Sequence, residues 1–217
     1  GTDTQHSKIT FEALNAFELA KLKLQTRTFF GYATAGTPAH SLLYSSMGSP
    51  YDSIKNGWLS AYGALPTCWA RNGHIHTGGG GNVRGLHPEI IEAMRQAESV
   101  MDFAGNRLAS VNVELAIWNP MNKFVAKLPG IHSLLHFDLY TFADGAAAKF
   151  TYRNDDFSLP EPVFDAGLGL LWTPRLQSKA RGILGDVPNF RIDFPFFLSA
   201  GEDTFAFRWL VGIGRVF

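Results

Sequence analysis

Arg84 closes the run Gly78-Gly79-Gly80-Gly81-Asn82-Val83-Arg84-Gly85, and the chemistry open to this chain starts there. A guanidinium is a planar fork of donors that stays protonated, so a buried one needs carboxylates around it. Two acidic residues follow at suitable places: Glu114 and Asp144 each lie on the polar side of an alternating apolar and polar stretch. If both polar sides line one lumen and the loop folds inward, Arg84 meets both in charge-assisted hydrogen bonds. The other reading is a mobile surface loop with a solvated Arg84, and Glu114 and Asp144 facing water independently. Four consecutive glycines permit either, since a backbone without Cβ atoms can turn sharply or lie close against other backbone.

Other reactive side chains are less well placed. His74 and His76, two apart on an extended chain, face the same way, but no third ligand sits at a metal-binding spacing. His132 and His136 are four apart on one strand face, without a helix to make a ligand pair of them. No nucleophile-elbow sequence is present. The single Cys68 excludes an intramolecular disulfide and a zinc-thiolate cluster. No catalytic residue, metal or cofactor is therefore expected.

The elements that would position Arg84 and its acceptors are strands. Ile9, Phe11, Ala13, Phe17 and Leu19 alternate with polar residues. After Ala20 the phase shifts, and Leu22, Leu24, Phe30 and Tyr32 oppose Lys21, Lys23, Gln25 and Arg27. The same period of two returns at Ser110–Ile117, Leu135–Asp144, Phe164–Trp172, Phe190–Leu198 and Thr204–Phe217. Many of these runs approach the 9–11 residues that a tilted strand needs to cross a bilayer. Their apolar sides gather aromatics near the ends (Phe29, Phe30, Tyr32, Trp118, Trp172, Trp209, Phe217), as an interfacial girdle would. A soluble β-sandwich would alternate too. Residues from about 38 to 106 form one long loop, with a short helix expected over Pro88–Arg95.

Composition narrows the class. Hydrophobic residues make up 46% of the 217 and charged residues only 18%, while the net charge of zero gives no electrostatic case for nucleic acid. No run of about 18 apolar residues encodes a transmembrane helix. The first residues, Gly1-Thr2-Asp3-Thr4-Gln5-His6, lack the features of a signal peptide and read as a cut inside a longer protein or a mature terminus.

In their order along the chain, these motifs carry a resemblance. Asn82-Val83-Arg84-Gly85-Leu86 after a glycine run resembles the VRG loop of the outer-membrane assembly and secretion barrels. That superfamily includes BamA, TamA and the two-partner-secretion transporters, and its barrel is called the bacterial surface antigen domain. Phe142-Ala143-Asp144-Gly145-Ala146 resembles the family's acidic strand motif, whose carboxylate pairs with the loop arginine; Phe164-Asp165-Ala166-Gly167 is a competing match. Leu86 stands where the family has an aromatic residue. Gly167–Pro174 and Arg191–Pro195 fit the closing strands, and Phe217 resembles the C-terminal assembly signal.

The resemblance implies an all-β fold: residues 1–217 as the C-terminal portion, about seven to eight strands, of a larger transmembrane antiparallel barrel. The long loop would fold inward, locked by Val83, Arg84, Gly85, Glu114, Phe142 and Asp144. The terminal strand would pair with Phe190–Leu198 on one side, and on the other with a strand outside this sequence or near its start. The implied setting is the Gram-negative outer membrane. The partners would be the lipid bilayer, the remaining strands from upstream sequence or another chain, and polypeptide substrates or an outer-membrane complex. The implied function is protein insertion or translocation, without enzymatic activity. One alternative is a membrane-anchoring barrel of a larger surface enzyme, such as a peptidase or phospholipase fusion; another is a soluble β-sandwich binding module.

Overall fold

The long strands between Leu22 and Leu198 have an apolar side and a polar side, and the polar side is the one that is covered. The computed structural model describes residues 5–19, 22–49, 73–76, 78–96, 104–117, 127, 135–152, 155–157, 162–174, 189–200 and 203–213. Its strands are β1 (Lys8–Leu19), β2 (Leu22–Ala33), β3 (Leu43–Tyr44), β4 (Ile75–His76), β5 (Ala104–Gly105), β6 (Arg107–Ala116), β7 (Leu135–Tyr152), β8 (Asp155–Phe157), β9 (Val163–Pro174), β10 (Phe190–Leu198) and β11 (Leu210–Ile213). Among the described residues one α-helix, α1, spans His87–Gln96, and 3-10 turns occupy Ala39–Ser41 and Arg84–Leu86. The main sheet runs β1-β2-β6-β7-β9-β10-β11-β4, with β8 on the outer part of β7, and curls into a half-barrel. From β1 to β11 every pairing is antiparallel, and β4 joins β11 in parallel. Among the described residues no helix is long and apolar enough to cross a membrane.

Period-two alternation makes the two faces of the sheet chemically opposite. On the inner face, toward the loop, Arg27, Asn112, Glu114, Asp144, Asp165, Arg191 and Asp193 are all buried. On the outer face Ile9, Phe11, Phe30, Val111, Phe164, Leu168 and Ile192 are exposed. No second sheet covers that outer face among the described residues; the only other sheet is the small pair β3-β5.

The described parts of the 38–106 loop lie against the inner face. Their apolar residues Leu42, Leu43, Tyr44, Met47, Val83, Leu86 and Ile90 form one cluster with Phe29, Leu108, Ala146 and Leu198 of the sheet. Two expectations are corrected here. Phe29 shares the phase of Arg27, so it is buried under the loop rather than standing in an outer girdle. Leu198 was expected outside, but the register of β10 against β9 shifts between Pro195 and Phe197. Pro195 has no N–H for the ladder, a bulge follows, and Leu198 turns inward.

The bulge also interrupts the next strand. Among the described residues, regular pairing with β10 covers Leu210–Ile213, and Thr204–Trp209, expected as part of the same strand, joins through an isolated bridge, Phe197 to Phe205. On its far side β11 pairs with β4, a piece of the loop, rather than with a strand near the start of the chain. Trp118, Cys68, His132 and Phe217 lie outside the described residues.

The glycine run is not a slack tether. Gly81 N–H donates to the Tyr44 carbonyl at 2.8 Å, Val83 N–H to that of Ser45 at 3.0 Å, and Gly48 N–H to that of Gly78 at 2.9 Å. A Cβ on Gly80 would stand 1.9 Å from the Met47 carbonyl oxygen, and its φ of +57° is left-handed. Gly80→Ala should therefore cost about 2–4 kcal/mol, combining left-handed strain with backbone overlap. Urea unfolding, with proteolysis of the 38–106 segment as a second readout, measures it; a loss below about 0.5 kcal/mol would show that the loop is loosely seated.

Candidate functional site

Arg84 enters the site because the glycine run packs against 44–48 and then tightens into the Arg84–Leu86 turn. The turn and helix α1 direct Leu86 and Ile90 into the apolar cluster, which leaves Arg84 pointing at the polar strip of the sheet. Leu86 is the hydrophobic foot of that turn, and a smaller side chain suffices where an aromatic was the family expectation.

The guanidinium is fully buried, and its partners divide the work. Asp144 takes the aligned edge: Nε donates to Oδ2 at 2.9 Å and Nη2 to Oδ1 at 3.2 Å. Glu114 Oε1 lies 3.0 Å from Nη2 but without hydrogen-bond alignment, so its contribution is Coulombic proximity. Nη1 donates to Asp193 Oδ1 at 3.3 Å. Phe142 supplies a floor, its ring centroid 3.8 Å from Cζ of Arg84, close enough for a cation–π contact. The competing acidic residue, Asp165, has a separate role and accepts the backbone N–H of Gly85. Val83, Arg84, Gly85, Glu114, Phe142 and Asp144 are thus brought together. Burial presses the Arg84 pKa downward, but Asp144 and Glu114 more than offset this and hold it above its ordinary value. It stays charged.

Glycines on β9 make room for this floor. Phe142 is the register partner of Gly167, and Tyr140 that of Gly169. A Cβ at Gly169 would fall 2.1 Å from Tyr140 Cζ, and one at Gly167 would fall 2.7 Å from Phe142 Cζ. Both rings therefore lie across β9, and the Tyr140 hydroxyl donates to Asp193.

Several partners exceed the sequence expectation. Asn112 Nδ2 donates to the carbonyls of Gly81 at 3.2 Å and Asn82 at 3.1 Å, and to Asp144 Oδ1 at 3.1 Å. Arg27 donates to the Gly80 carbonyl at 2.9 Å, to Asn112 Oδ1 at 2.9 Å and to Glu12. The glycine run is thereby held from below by side chains of β2 and β6. Asp193 binds both Arg84 and Arg191. The available signal was phase: Arg27, Asn112 and Asp193 all stand on polar sides of their strands, as Glu114 and Asp144 do.

The histidines separate. His74 stacks on Trp209 with centroids 3.7 Å apart, and its Nδ1 donates to the Trp209 carbonyl at 2.9 Å. His76 points inward: Nε2 donates to the Ser46 carbonyl at 2.7 Å, so Nδ1 is the acceptor for Arg191. The two therefore have different partners and do not converge on a common ligand position. Burial, then the Arg191 charge, holds His76 well below its ordinary pKa. His87, whose Nε2 donates to the Ile75 carbonyl at 2.8 Å, is lowered by burial to about 4. His136 lies 3.3 Å from Asp138. No group of three or more His, Cys, Asp or Glu suited to a metal occurs among the described residues.

Compared with known protein families, characterised proteins and solved structures, the chain finds no match. Fold and site together define the class: a curled, mostly antiparallel β half-barrel whose inner loop is held by a buried arginine and a set of carboxylates.

Arg84→Ala leaves Asp144, Glu114 and Asp193 without their shared cation. The expected loss is about 3–5 kcal/mol, the usual cost of breaking a buried pair by removing one partner. Protease sensitivity of the 38–106 loop should rise while β-sheet circular dichroism persists. Arg84→Lys should restore only part, because an ammonium cannot make the two-pronged contact with Asp144. Wild-type protection in the alanine variant would show that the ion cluster does not hold the loop.

Acid should weaken the same loop. His87 titrates near 4 when folded and near 6.5 when unfolded, so the unfolded chain binds the extra proton between those values. Its stabilising contribution is full above about pH 6.5 and is lost as pH falls toward 4. His87→Gln keeps a donor for the Ile75 carbonyl, and should reduce the pH dependence of loop protection across that window, leaving the part that buried His76 contributes. An unchanged profile would remove His87 as its source.

Proposed function

We propose that this chain is part of an outer-membrane β-barrel of the protein insertion and translocation superfamily, with Arg84 fixing the long loop inside the lumen. The observation that supports it most is the inversion of the sheet: charged and amide side chains are covered, and large apolar side chains are exposed on the other face. Water disfavours that arrangement, whereas a hydrocarbon surround favours it, as in barrels with apolar exteriors and polar lumens. An uncovered row of Ile9, Phe11, Phe30, Val111, Phe164 and Ile192 is otherwise an aggregation surface. Open sheet edges are not tolerated in lipid, so the reading requires further strands from upstream sequence or another chain. The bacterial outer membrane is the location that follows. Polypeptides are the substrate class, and the lock is structural rather than catalytic.

One observation favours a second reading, a barrel that only anchors a larger surface enzyme. The loop and ion cluster fill the inner face, and the cavity bordered by Glu114, Tyr140, Asp138 and Arg191 has a volume of about 70 Å³, too small for a polypeptide. Translocation would then require the loop to move. A soluble sandwich is weakened by the exposed outer face, which has no partner layer among the described residues.

The test is physical state. The protein should be monodisperse only with detergent or bilayer, and should shift its gel migration on heating. Stable solubility in plain buffer, with migration independent of heating, would overturn the membrane reading. Holding the loop in place by a disulfide from the 78–85 run to β6, in the full protein, then separates the two membrane readings. Loss of transported or inserted polypeptide favours translocation, and unchanged cellular activity favours anchoring.

A further inference from the structure

β11 carries the edge on which further strands of the sheet would add, and that edge is occupied from within. Ile75 and His76 of β4 stand opposite Val211 and Gly212 in parallel register, and Val211 N–H donates to the His74 carbonyl at 2.6 Å. Among the described residues it is the one parallel pair in a sheet whose other neighbours run antiparallel, mostly over 8 to 12 residues. A two-residue parallel ladder is weak by itself. Side chains secure it from both sides. His74 lies flat on Trp209, next to β11. His87, on helix α1, donates to the carbonyl of Ile75. His76 is tied to the Ser46 carbonyl and accepts from Arg191.

The contact with Arg191 depends on one residue type. Arg191, Gly212 and His76 are successive cross-strand partners on β10, β11 and β4. A Cβ on Gly212 would come within 2.5 Å of Arg191 Nε. Because Gly212 has no side chain, Arg191 reaches across the whole width of β11 to the histidine beyond it. Its guanidinium also pairs with Asp193, an acceptor for Arg84. The edge segment and the Arg84 cluster therefore share one carboxylate.

We propose that the His74–His76 segment is an edge guard: a strap of the inner loop that occupies the outer edge of β11 and blocks strand addition there, held by Arg191 reaching over Gly212. The donors and acceptors it uses are those another strand would need, so strap and added strand exclude each other. With the strap released, the partner that fits is an extended strand, and in a purified sample that partner is a second copy of this chain. The inference rests on the half-barrel geometry and holds whether or not the outer face meets lipid.

The test uses the full protein with Cys68→Ser, in whichever solvent keeps it folded. Ile75→Cys with Val211→Cys should form an intramolecular disulfide under mild oxidant in most molecules. Ile75→Cys with Leu168→Cys, on the outer face of β9, should stay below a tenth of that. Gly212→Val keeps all the histidines but displaces Arg191, and should lower 75–211 crosslinking at least fivefold. It should also raise deuterium uptake at 210–213 and increase dimers and higher oligomers severalfold by light scattering. Absence of the 75–211 disulfide in protein whose loop remains protease-resistant would overturn the strap. Faster exchange at 210–213 without any rise in self-association would overturn its guarding role. Should Gly212→Val fail to fold, His76→Phe replaces it, since a ring of similar size lacks both nitrogens and the same outcomes apply. Detergent dependence is read separately, so a failed membrane assignment and a failed strap give different results.

Discussion

A buried arginine cannot be neutralised to escape its desolvation, so everything near Arg84 has to answer its charge. Asp144 does so with two aligned bonds, Glu114 with proximity, and Asp193 with a longer contact that it shares with Arg191 and Tyr140. That requirement constrains four strands at once, since Glu114 is on β6, Asp144 on β7, Asp193 on β10, and Asp165 of β9 takes the neighbouring Gly85 amide. A slip of one residue in any of these registers would send its acid to the outer face. The cluster thus works as a register gauge for the sheet as well as a seat for the loop.

Glycine is the second device, and on the strands, unlike in the left-handed turn at Gly80, its use is steric. Tyr140 opposite Gly169, Phe142 opposite Gly167 and Arg191 opposite Gly212 are three inner-face pairs in which a large side chain lies over the space a Cβ would fill. Each brings a functional group one strand further than its own position would allow: Phe142 under Arg84, the Tyr140 hydroxyl to Asp193, Arg191 to His76. At this level the inner face has only a small apolar cluster, Tyr140, Phe142 and Leu171. The apolar core, from Leu42 to Leu198, lies alongside, where the loop meets the sheet.

Alternation made most of this legible in advance. The strands and their phases follow from period two, and the short helix from Pro88 at its start. The inward loop and the approach of Arg84 to Asp144 and Glu114 were one of two readings that a guanidinium between glycines allows, and the family resemblance selected it. What stayed hidden depends on register and on local breaks in it. Leu198 changes face because Pro195 cannot join the ladder, and no periodicity count shows where a bulge falls. The pairing of Ile75 and His76 with β11 is a two-residue contact across more than 130 positions of sequence, below what any pattern reports. Asp193 stands on the polar side of its strand, but its role depends on Arg191 and Tyr140 sharing it, which is a matter of cross-strand neighbours.

Magnitudes separate holding the loop from placing it. Ordering each loop residue costs about 1–2 kcal/mol, so an ion cluster whose disruption costs about 3–5 kcal/mol offsets the ordering of only a few residues. Burial has to supply the rest, and roughly 1.5–3 kcal/mol per large apolar side chain is available from Leu42, Leu43, Val83, Leu86 and Ile90, all nearly inaccessible to solvent. Those contacts are non-directional and would tolerate sliding of the loop along the inner face. Arg84 tolerates none, because its donors meet acids at fixed heights on three strands and the neighbouring Gly85 amide meets a fourth acid on β9, while Asn112 and Arg27 hold the carbonyls of the glycine run from the other side. Apolar burial orders the loop, and the buried charge selects which of its possible seats is occupied.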